Sequence, residues 1–319
     1  IPKGENSLGK LVAALHHVGF DEVYDTNFGA DLTVMEESRE LLERLESGKN
    51  LPLFTSCCPA WVKFLETRHP EFKDNVSTCR SPQQMFGALL KEDARLNEVD
   101  KRKTVVVSIM PCTAKKAEIT REEHFTDGCQ DVDYVLTTTE TIRMIKAAGI
   151  NLAYVPEESL DMPFGLASGA GAIFGVTGGV TEAVLRKLVN STRVEDLESI
   201  SFTGIRGFDG IKEATVKIGD KDVKIAVVSG LKNADELLNR IKAGQVHYDF
   251  VEVMACRRGC IAGGGQPVPI GNHTKQARYD GIYNVDKQSP IKLSNENPII
   301  TNVYNGILKG KEHKLLHNR

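Results

Sequence analysis

Short apolar runs alternate with amphipathic segments along this chain. Runs rich in β-branched residues predict buried strands at 51–54, 104–110, 133–137, 223–230 and 250–255. Apolar residues at three- and four-residue spacing predict helices at 31–45, 81–96, 180–189, 233–244 and 298–310. This alternation predicts an α/β protein with largely parallel sheets flanked by helices.

Two changes of composition suggest boundaries. The Gly- and Ser-rich stretch GLASGAGAIFGVTGG at 165–179 marks a boundary between two lobes. Its glycines only loosely imitate a dinucleotide loop, and we interpret them as close backbone packing near the candidate site. A polar tail follows GGGQP, and we expect it to wrap the core. We therefore predict a first lobe at 1–162, a second lobe at 163–267 and a C-terminal segment at 268–319, with a mostly parallel twisted sheet in each lobe.

The bulk composition excludes several classes. The 319 residues carry a net charge of −3, which leaves room for a large core and gives no nucleic-acid footprint. No apolar run reaches ~18 residues, so no membrane span is expected. Seven cysteines are too few for a disulfide scaffold. The chain starts IPKGENSLGK, without a Met or a signal-peptide pattern, and we expect a cytoplasmic fragment of a longer protein.

The cysteines lie where predicted strands end. Cys57 and Cys58 follow the first strand, Cys112 the second, and Cys256 and Cys260 the last. Because ligands gather at the carboxyl ends of strands in open α/β sheets, these thiols could converge. If 256–260 is helical, its two thiols share one face. Four thiolates suit a 4Fe–4S cluster or zinc; packing as small hydrophobic groups explains one cysteine better than four.

Other candidates lie close to these cysteines. Met110 and Met254 each precede a cysteine by two residues, and core packing is the commoner use of methionine. Lys115 and Glu118 follow Cys112 at three-residue spacing, so a helix would place all three on one stripe. They could form a solvated ion pair, or the ammonium could bind an anionic ligand.

The first predicted helix carries acidic residues around an apolar face. That face comprises Val34, Met35, Leu41, Leu42 and Leu45. Glu37 falls at its edge, where partial desolvation would raise its pKa, and Glu40 lies further toward solvent. Ser77 could act as a hydroxyl relay between them. We assign Glu36 and Glu43 to a solvated face.

Three segments resemble the signature segments of iron–iron (FeFe) hydrogenases. They are TSCCPAW at 55–61, MPCTAKKAE at 110–118 and EVMACRRGCIAGGGQP at 252–267. Connecting segments agree in order over nearly the whole chain, namely FGADLTVMEE, VSTCRSPQQMFGALLK, DVDYVLTT and SGAGAIFGVTGGV. The tail ending HKLLH at 313–317 resembles the family's small-subunit segment, here fused to the catalytic domain.

The resemblance implies an H-cluster buried in the cleft between the lobes. This cofactor is a 4Fe–4S cubane joined through one cysteine to a diiron unit that carries CO, cyanide and an azadithiolate bridge. Residue by residue, Cys58, Cys112, Cys256 and Cys260 would hold the cubane, and Cys260 would bridge to the diiron unit. The implied reaction is the reversible conversion of two protons and two electrons into H₂.

Further roles carry over around the diiron unit. Lys115 would donate to a cyanide, and Met110, Pro111, Met254 and Gln83 would line its pocket.

The resemblance also implies a proton relay. It would run through Glu40, Ser77 and Glu37, then through a water to Cys57, whose thiol would exchange protons with the bridging amine. We include Glu118 among the catalytic residues because of its place beside Lys115.

The implied partners are an electron carrier and the hydrogenase maturation proteins. The carrier would be ferredoxin or an NAD(P)-linked flavin and iron–sulfur subunit. Compared with the family, the chain starts late, without the strand before IPKGEN and without upstream ferredoxin-like cysteine runs. We therefore expect missing N-terminal domains.

The chain departs from the family at positions outside the ligand set. Thr139 stands where Arg is usual, Thr181 where Met is usual, and Arg257-Arg258 where relatives have smaller residues. Cys79 and Cys129 fall outside the signature segments, and we interpret them as packing thiols.

Three rival functions remain. A cluster-assembly relative would carry iron–sulfur clusters without a diiron unit, but such relatives lose parts of the constellation that includes Cys57, Lys115 and GGGQP. A sensory hydrogenase typically alters the relay cysteine and carries a signalling domain. A zinc-binding α/β module gives no role to Cys57 or Lys115, and metal analysis would identify it.

Overall fold

The computed structural model describes residues 5–97, 103–189, 206, 210–268 and 271–318. The α-helices are α1 (Leu8–Val18), α2 (Asn27–Ser47), α3 (Pro59–Arg68), α4 (Pro82–Leu96), α5 (Lys115–Glu118), α6 (Thr138–Ala147), α7 (Gly169–Ala172), α8 (Gly179–Val189), α9 (Leu231–Lys242), α10 (Asn272–Gln288), α11 (Pro298–Asn305) and α12 (Glu312–Leu316). The strands are β1 (Leu53–Phe54), β2 (Val107–Met110), β3 (Phe125–Thr126), β4 (Cys129–Gln130), β5 (Tyr134–Thr137), β6 (Ile211–Ile218), β7 (Lys221–Ser229) and β8 (Phe250–Met254).

The largest described sheet has the strand order β1-β8-β7-β6. β8 runs parallel to both β1 and β7, with Leu53 opposite Phe250, whereas β6 is antiparallel to β7. A second, smaller sheet pairs β2 and β5 in parallel. The prediction of an α/β fold with open, parallel-containing sheets is confirmed. Two pairings are antiparallel, namely β6 with β7 and the small β3–β4 pair.

Helices cover both faces of the large sheet. Ala226 and Val228 of β7 face the side of α3 and α9, where Trp61 and Leu237 pack. The alternate residues of β7 face α2 and α8 and form a separate cluster, which contains Leu41, Val184, Leu185, Val223, Ile225, Val227 and Phe250. This period of two places apolar side chains on both faces of one strand, as expected for a fully covered sheet.

The C-terminal segment, which we expected to wrap the core, packs against α2 and α4. Ile300, Val303, Leu315 and Leu316 belong to the same apolar cluster as Phe28. A polar contact set joins the segment to α2, because the buried carboxylate of Asp31 accepts hydrogen bonds from Ser168, Ser294 and Asn297. Burial raises the pKa of Asp31, and these four hydrogen bonds, two of them from Ser168, offset its desolvation in part.

The structure corrects several local predictions. Leu42 is 40% exposed and does not belong to the apolar face of α2. Glu36 is buried rather than solvated, because His317, Tyr304 and Arg39 surround its carboxylate. Glu43 is exposed, as predicted.

Strand lengths and several elements also differ from the sequence prediction. β1 and β2 are shorter than the apolar runs that predicted them, and α11 ends at Asn305 rather than near 310. The sequence prediction did not include α1, α3, α6, α10 and β6. Pro59 at the first turn of α3 is a helix-start signal that could have found that helix. The boundaries between lobes stay a prediction, and β1, from the predicted first lobe, pairs with β8 from the second.

Candidate active site

Three strand ends bring the cysteine segments together. β1 and β8 are parallel neighbours, so Thr55–Cys58 and Ala255–Cys256 leave the sheet at the same edge. The amide of Ala255 lies 3.5 Å from the Cys58 sulfur. The end of β2 joins them through Pro111, whose carbonyl oxygen accepts a 2.9 Å hydrogen bond from the Gly265 amide.

Cys57 and Cys58 have different neighbours although they are adjacent in sequence. Burial raises the pKa of the Cys57 thiol well above its ordinary value, and the nearby Glu37 charge raises it further. Burial also raises the pKa of Cys58, whose interacting thiol is Cys112. Because Cys58 begins α3 in an extended conformation, the two side chains leave the backbone in different directions.

Burial and neighbouring thiols raise the pKa of Cys256 and Cys260. Burial raises the pKa of Cys256 to about 11, with contributions from Cys58 and Cys112. Burial also raises the pKa of Cys260, with contributions from Cys58, Cys112 and Cys256. Within the described ranges, no three His, Cys, Asp or Glu side chains lie close enough together to hold a single metal ion.

The backbone around the thiols is packed closely at glycines. A Cβ at Gly263 would lie 2.1 Å from the Pro111 oxygen, and one at Gly265 would lie 2.9 Å from Thr137. Gly259 has φ +88°, and a Cβ there would lie 2.6 Å from the Thr177 amide nitrogen. The segment from Cys256 to Cys260 is a turn, so the condition under which its two thiols would share one helix face is not met; Gly259, with its positive φ, lies within this turn.

Lys115 and Glu118 form a buried ion pair rather than a solvated one. The Lys115 ammonium lies 2.9 Å from the Glu118 carboxylate and donates a 3.1 Å hydrogen bond to the Cys57 carbonyl oxygen. Burial acts against the charge of Lys115, but Glu118 outweighs it and the pKa of Lys115 is raised. Ser81 and Gln83 also donate to Glu118, at 2.9 and 3.1 Å. The Gln83 side-chain oxygen is buried without a partner.

The acidic residues of α2 approach the same site. The Ser77 hydroxyl donates to Glu40 at 2.7 Å. Glu37 is fully buried, and neither of its carboxylate oxygens has a hydrogen-bond partner of acceptable geometry. Burial raises the pKa of Glu37 to about 8, the charges of Glu40 and Glu252 add to this, and the nearby Ser77 hydroxyl only partly offsets it. Glu37 is therefore largely protonated at neutral pH.

Sequence reasoning missed Glu252, a buried carboxylate beside the site. Its oxygens accept hydrogen bonds from the amides of Gly178 and Thr181, at 2.6 and 2.9 Å, and from the Thr181 hydroxyl at 3.0 Å. Thr181, one of the departures noted above, thus holds this carboxylate at the start of α8. A charged residue inside the apolar run FVEVM is unusual in a buried strand, and this could have indicated Glu252 from the sequence.

The remaining candidates have packing roles that the structure shows directly. Met110 packs with Ile119, Val132 and Val135, and Met254 is buried at the end of β8. The Thr139 hydroxyl, the other departure, donates to the Gly265 carbonyl oxygen at 3.0 Å. Cys79 lies in an apolar cluster, as predicted for a packing thiol.

Two family models cover almost the whole chain. The model described as "Iron only hydrogenase large subunit, C-terminal domain" matches residues 1–264. The model described as "Iron hydrogenase small subunit" matches residues 272–319. The chain belongs to the iron-only hydrogenase family. The match of its tail to the small-subunit model agrees with the fusion predicted from HKLLH.

Known hydrogenases have similar sequences over nearly the whole length of this chain. The NADP-reducing hydrogenase subunit HndD of Solidesulfovibrio fructosivorans is 45% identical over 99% of the chain and 56% of its own length. Iron hydrogenase 1 of Clostridium pasteurianum is 40% identical over 98% of the chain and 56% of its own length. The chain thus spans little more than half of these curated relatives.

Solved FeFe hydrogenases share the fold. A variant of HydA1 from Chlamydomonas reinhardtii superposes with a TM-score of 0.83 at 38% identity, and the match covers 100% of this chain and 88% of that chain. The chain is also similar to proteins that are named as Fe–S cluster assembly factors rather than hydrogenases. The cytosolic Fe–S cluster assembly factor narfl of Xenopus tropicalis is 31% identical over 88% of this chain and 62% of its own length.

Proposed function

We propose that this iron-only hydrogenase domain catalyses the reversible conversion of protons and electrons into H₂ at an H-cluster. The observation that carries the proposal is the convergence of Cys58, Cys112 and the Cys256–Cys260 turn beside Cys57 and Lys115. Membership of the family supports it.

The residues present fit the expected cofactor. Four interacting thiols match the ligand number of a 4Fe–4S cluster. The glycine-lined backbone at 259–265 lets the chain approach a bulky group without side chains in between. In this proposal Cys58, Cys112, Cys256 and Cys260 would be the ligands of the cubane, and Cys260 would also hold the diiron unit.

Lys115 would give the pocket its positive charge. A buried ammonium fixed by Glu118 and the Cys57 carbonyl is oriented in advance, so it can donate to an anionic cyanide ligand without reorganisation. Ser81 and Gln83 hold Glu118 in turn. When bound, the H-cluster would supply the redox chemistry, and Met110, Pro111 and Met254 would line its pocket.

Protons would move along α2 to Cys57. Glu40 is 8% exposed, whereas Ser77 and Glu37 are fully buried. A protonated Glu40 would give its proton to the Ser77 oxygen while the Ser77 hydroxyl, turned toward Glu37, gives its own proton to Glu37. Because its pKa is about 8, Glu37 can hold that proton at neutral pH and still release it. A water would connect Glu37 to the Cys57 thiol, which would be the last protein group to hold the proton before the cofactor.

The partners and the cellular location are part of the proposal. A subunit named as NADP-reducing among the relatives supports an electron partner linked to NAD(P), with ferredoxin as the alternative. Maturation proteins would install the diiron unit. None of the described helices is long and apolar enough to cross a membrane. The cytoplasmic location stays a prediction, since one relative is named a periplasmic Fe hydrogenase large subunit.

A role in cluster assembly is the second candidate, because several relatives carry that name. Such a protein would need cluster ligands but no proton relay. The unpartnered carboxylate of Glu37 and the buried Lys115 favour hydrogenase chemistry over this alternative.

Infrared spectroscopy distinguishes the two candidates. The chain is produced anaerobically with the hydrogenase maturation machinery. Sharp CO and cyanide bands, together with H₂ evolution from a reduced dye, are the expected result. Iron and sulfide without these bands, in a chain that also carries the upstream part of its relatives, would contradict the hydrogenase proposal and support cluster assembly.

A further inference from the structure

The C-terminal segment is attached directly to the residues that carry the relay serine. The Arg80 amide donates to the Leu316 carbonyl oxygen at 2.8 Å, and the Arg80 side chain donates to the His317 carbonyl oxygen at 2.7 Å. Cys79 and His317 form an isolated antiparallel bridge. The segment that contains Ser77 is therefore paired with the tail through its backbone.

His317 uses both of its ring nitrogens in this contact. Nε2 lies 2.9 Å from a Glu36 oxygen, and Nδ1 lies 2.9 Å from the Thr78 hydroxyl. Burial disfavours the charge of Glu36, but His317, Tyr304 and Arg39 outweigh it and lower its pKa. Because an ionised carboxylate only accepts hydrogen bonds, Nε2 carries the proton, and in the neutral ring Nδ1 accepts from the Thr78 hydroxyl.

Thr78 connects this histidine to the relay. Its amide donates to both Glu40 oxygens, at 3.2 and 3.1 Å, while the preceding Ser77 donates its hydroxyl to Glu40 at 2.7 Å. The Cys79 amide donates to the Ser77 hydroxyl at 3.1 Å. The backbone of Thr78 and Cys79 thus orients Ser77 on Glu40. His317 contacts this stretch through the Thr78 hydroxyl.

We propose that His317 is a positioning residue of the proton relay, which acts through Thr78 to keep Ser77 on Glu40. The inference rests on the proposed function and gives the fused small-subunit segment a part in it. Thr78 is exposed, so without the imidazole its side chain could turn into solvent and its peptide would lose an anchor. Small changes in the distance between reacting groups cost large factors in rate.

The test compares variants of the full chain loaded with the H-cluster. Thr78→Val removes only the hydroxyl that meets His317, and His317→Phe removes the imidazole. We expect each to lower H₂ evolution by about 3- to 10-fold and to raise the ratio of rates in H₂O and D₂O. The CO and cyanide bands should remain those of the parent. Thr78→Ser should restore the parent rate and isotope ratio.

Tyr304→Phe is the matched control. It removes another hydrogen bond to Glu36 from the same tail without touching Thr78. We expect it to keep the rate and isotope ratio of the parent.

Three results would each overturn the proposal. They are parent-like kinetics in Thr78→Val, a Thr78→Ser variant without the parent rate and isotope ratio, and an equal loss of rate in Tyr304→Phe. If His317→Phe fails to fold, Thr78→Val decides alone. A parent without infrared bands and H₂ evolution would overturn the proposed function itself, and this inference with it.

Discussion

At the scale of single residues, the neighbouring thiols Cys57 and Cys58 have separate environments. Cys57 interacts with Glu37, and Cys58 interacts with Cys112 and accepts from the Ala255 amide. Two adjacent cysteines can therefore serve a proton path and a cluster at once. The sequence predicted this division only through the family resemblance, because spacing alone cannot tell which thiol faces which neighbour.

We expect Cys57→Ala to lower H₂ evolution by at least about 100-fold, because a positioned acid–base group contributes factors of this size. The infrared bands of the H-cluster should persist, since the four proposed ligands remain. Activity assays and spectra of the same preparation check this. Normal turnover in the variant would contradict the relay role of Cys57.

Glu37 should make stability depend on pH. Burial raises its pKa from 4.5 to about 8, so between these values the folded chain holds a proton that the unfolded chain releases. The free energy of unfolding therefore falls as pH rises through this window, by up to about 1.4 kcal/mol per pH unit. In Glu37→Gln this loss disappears, so the Tm of the variant relative to the parent should increase from pH 5 to pH 8.

Glu43→Gln is the control for this pH dependence, because Glu43 lies exposed on the same helix. Its Tm should follow that of the parent at every pH. A Tm difference between Glu37→Gln and the parent that stays constant with pH would rule out a raised pKa for Glu37.

At the scale of elements, the site depends on where short strands end. The apolar runs predicted β1, β2 and β8 because their side chains are buried, but β1 and β2 start later than their runs and β8 ends one residue earlier. The residues between strand and cysteine form turns whose direction depends on contacts with other segments, such as Gly265 on Pro111. Local sequence does not contain those contacts, so it could not show that 256–260 is a turn.

The glycine-lined turn offers a steric test. A Cβ at Gly263 would lie 2.1 Å from the Pro111 oxygen, so Gly263→Ala should displace the segment that carries Cys112. We expect a large loss of bound iron, measured by metal analysis, and of the infrared bands. Gly264→Ala is the control, because its Cβ would meet Thr113 atoms only at 3.5 and 4.0 Å. Equal iron content in both variants would disprove this steric role.

At the scale of the whole molecule, the C-terminal segment completes the core and the polar network around α2. Sequence reasoning predicted a wrapping tail from its change of composition. It treated Glu36 as solvated, because the partners that bury it, His317 and Tyr304, lie more than 250 residues away in sequence. Such long-range contacts leave no local pattern.

We expect Asn297→Ala to destabilise the docked tail. The variant removes the amide that donates to the buried Asp31 carboxylate and to the Leu166 carbonyl oxygen and that accepts from the Ile299 amide. This loss should lower the free energy of unfolding by about 1–3 kcal/mol. Thermal unfolding, and hydrogen exchange of α10 to α12, measure the effect. Asn302→Ala on the exposed side of α11 is the control and should leave both unchanged. A Tm for Asn297→Ala equal to that of the control would show that this contact is dispensable.

The sequence by itself determined the fold class, the strands that lead to the cysteines and the candidate residues of the site. Apolar periodicity and residue chemistry are local properties, and long signature segments carry the family resemblance. Only the tertiary structure decided which carboxylates are buried, where the cysteine segments turn, and that Glu252, Thr78 and His317 adjoin the site. Burial and pKa depend on neighbours from distant parts of the chain, and only the folded chain brings those neighbours together.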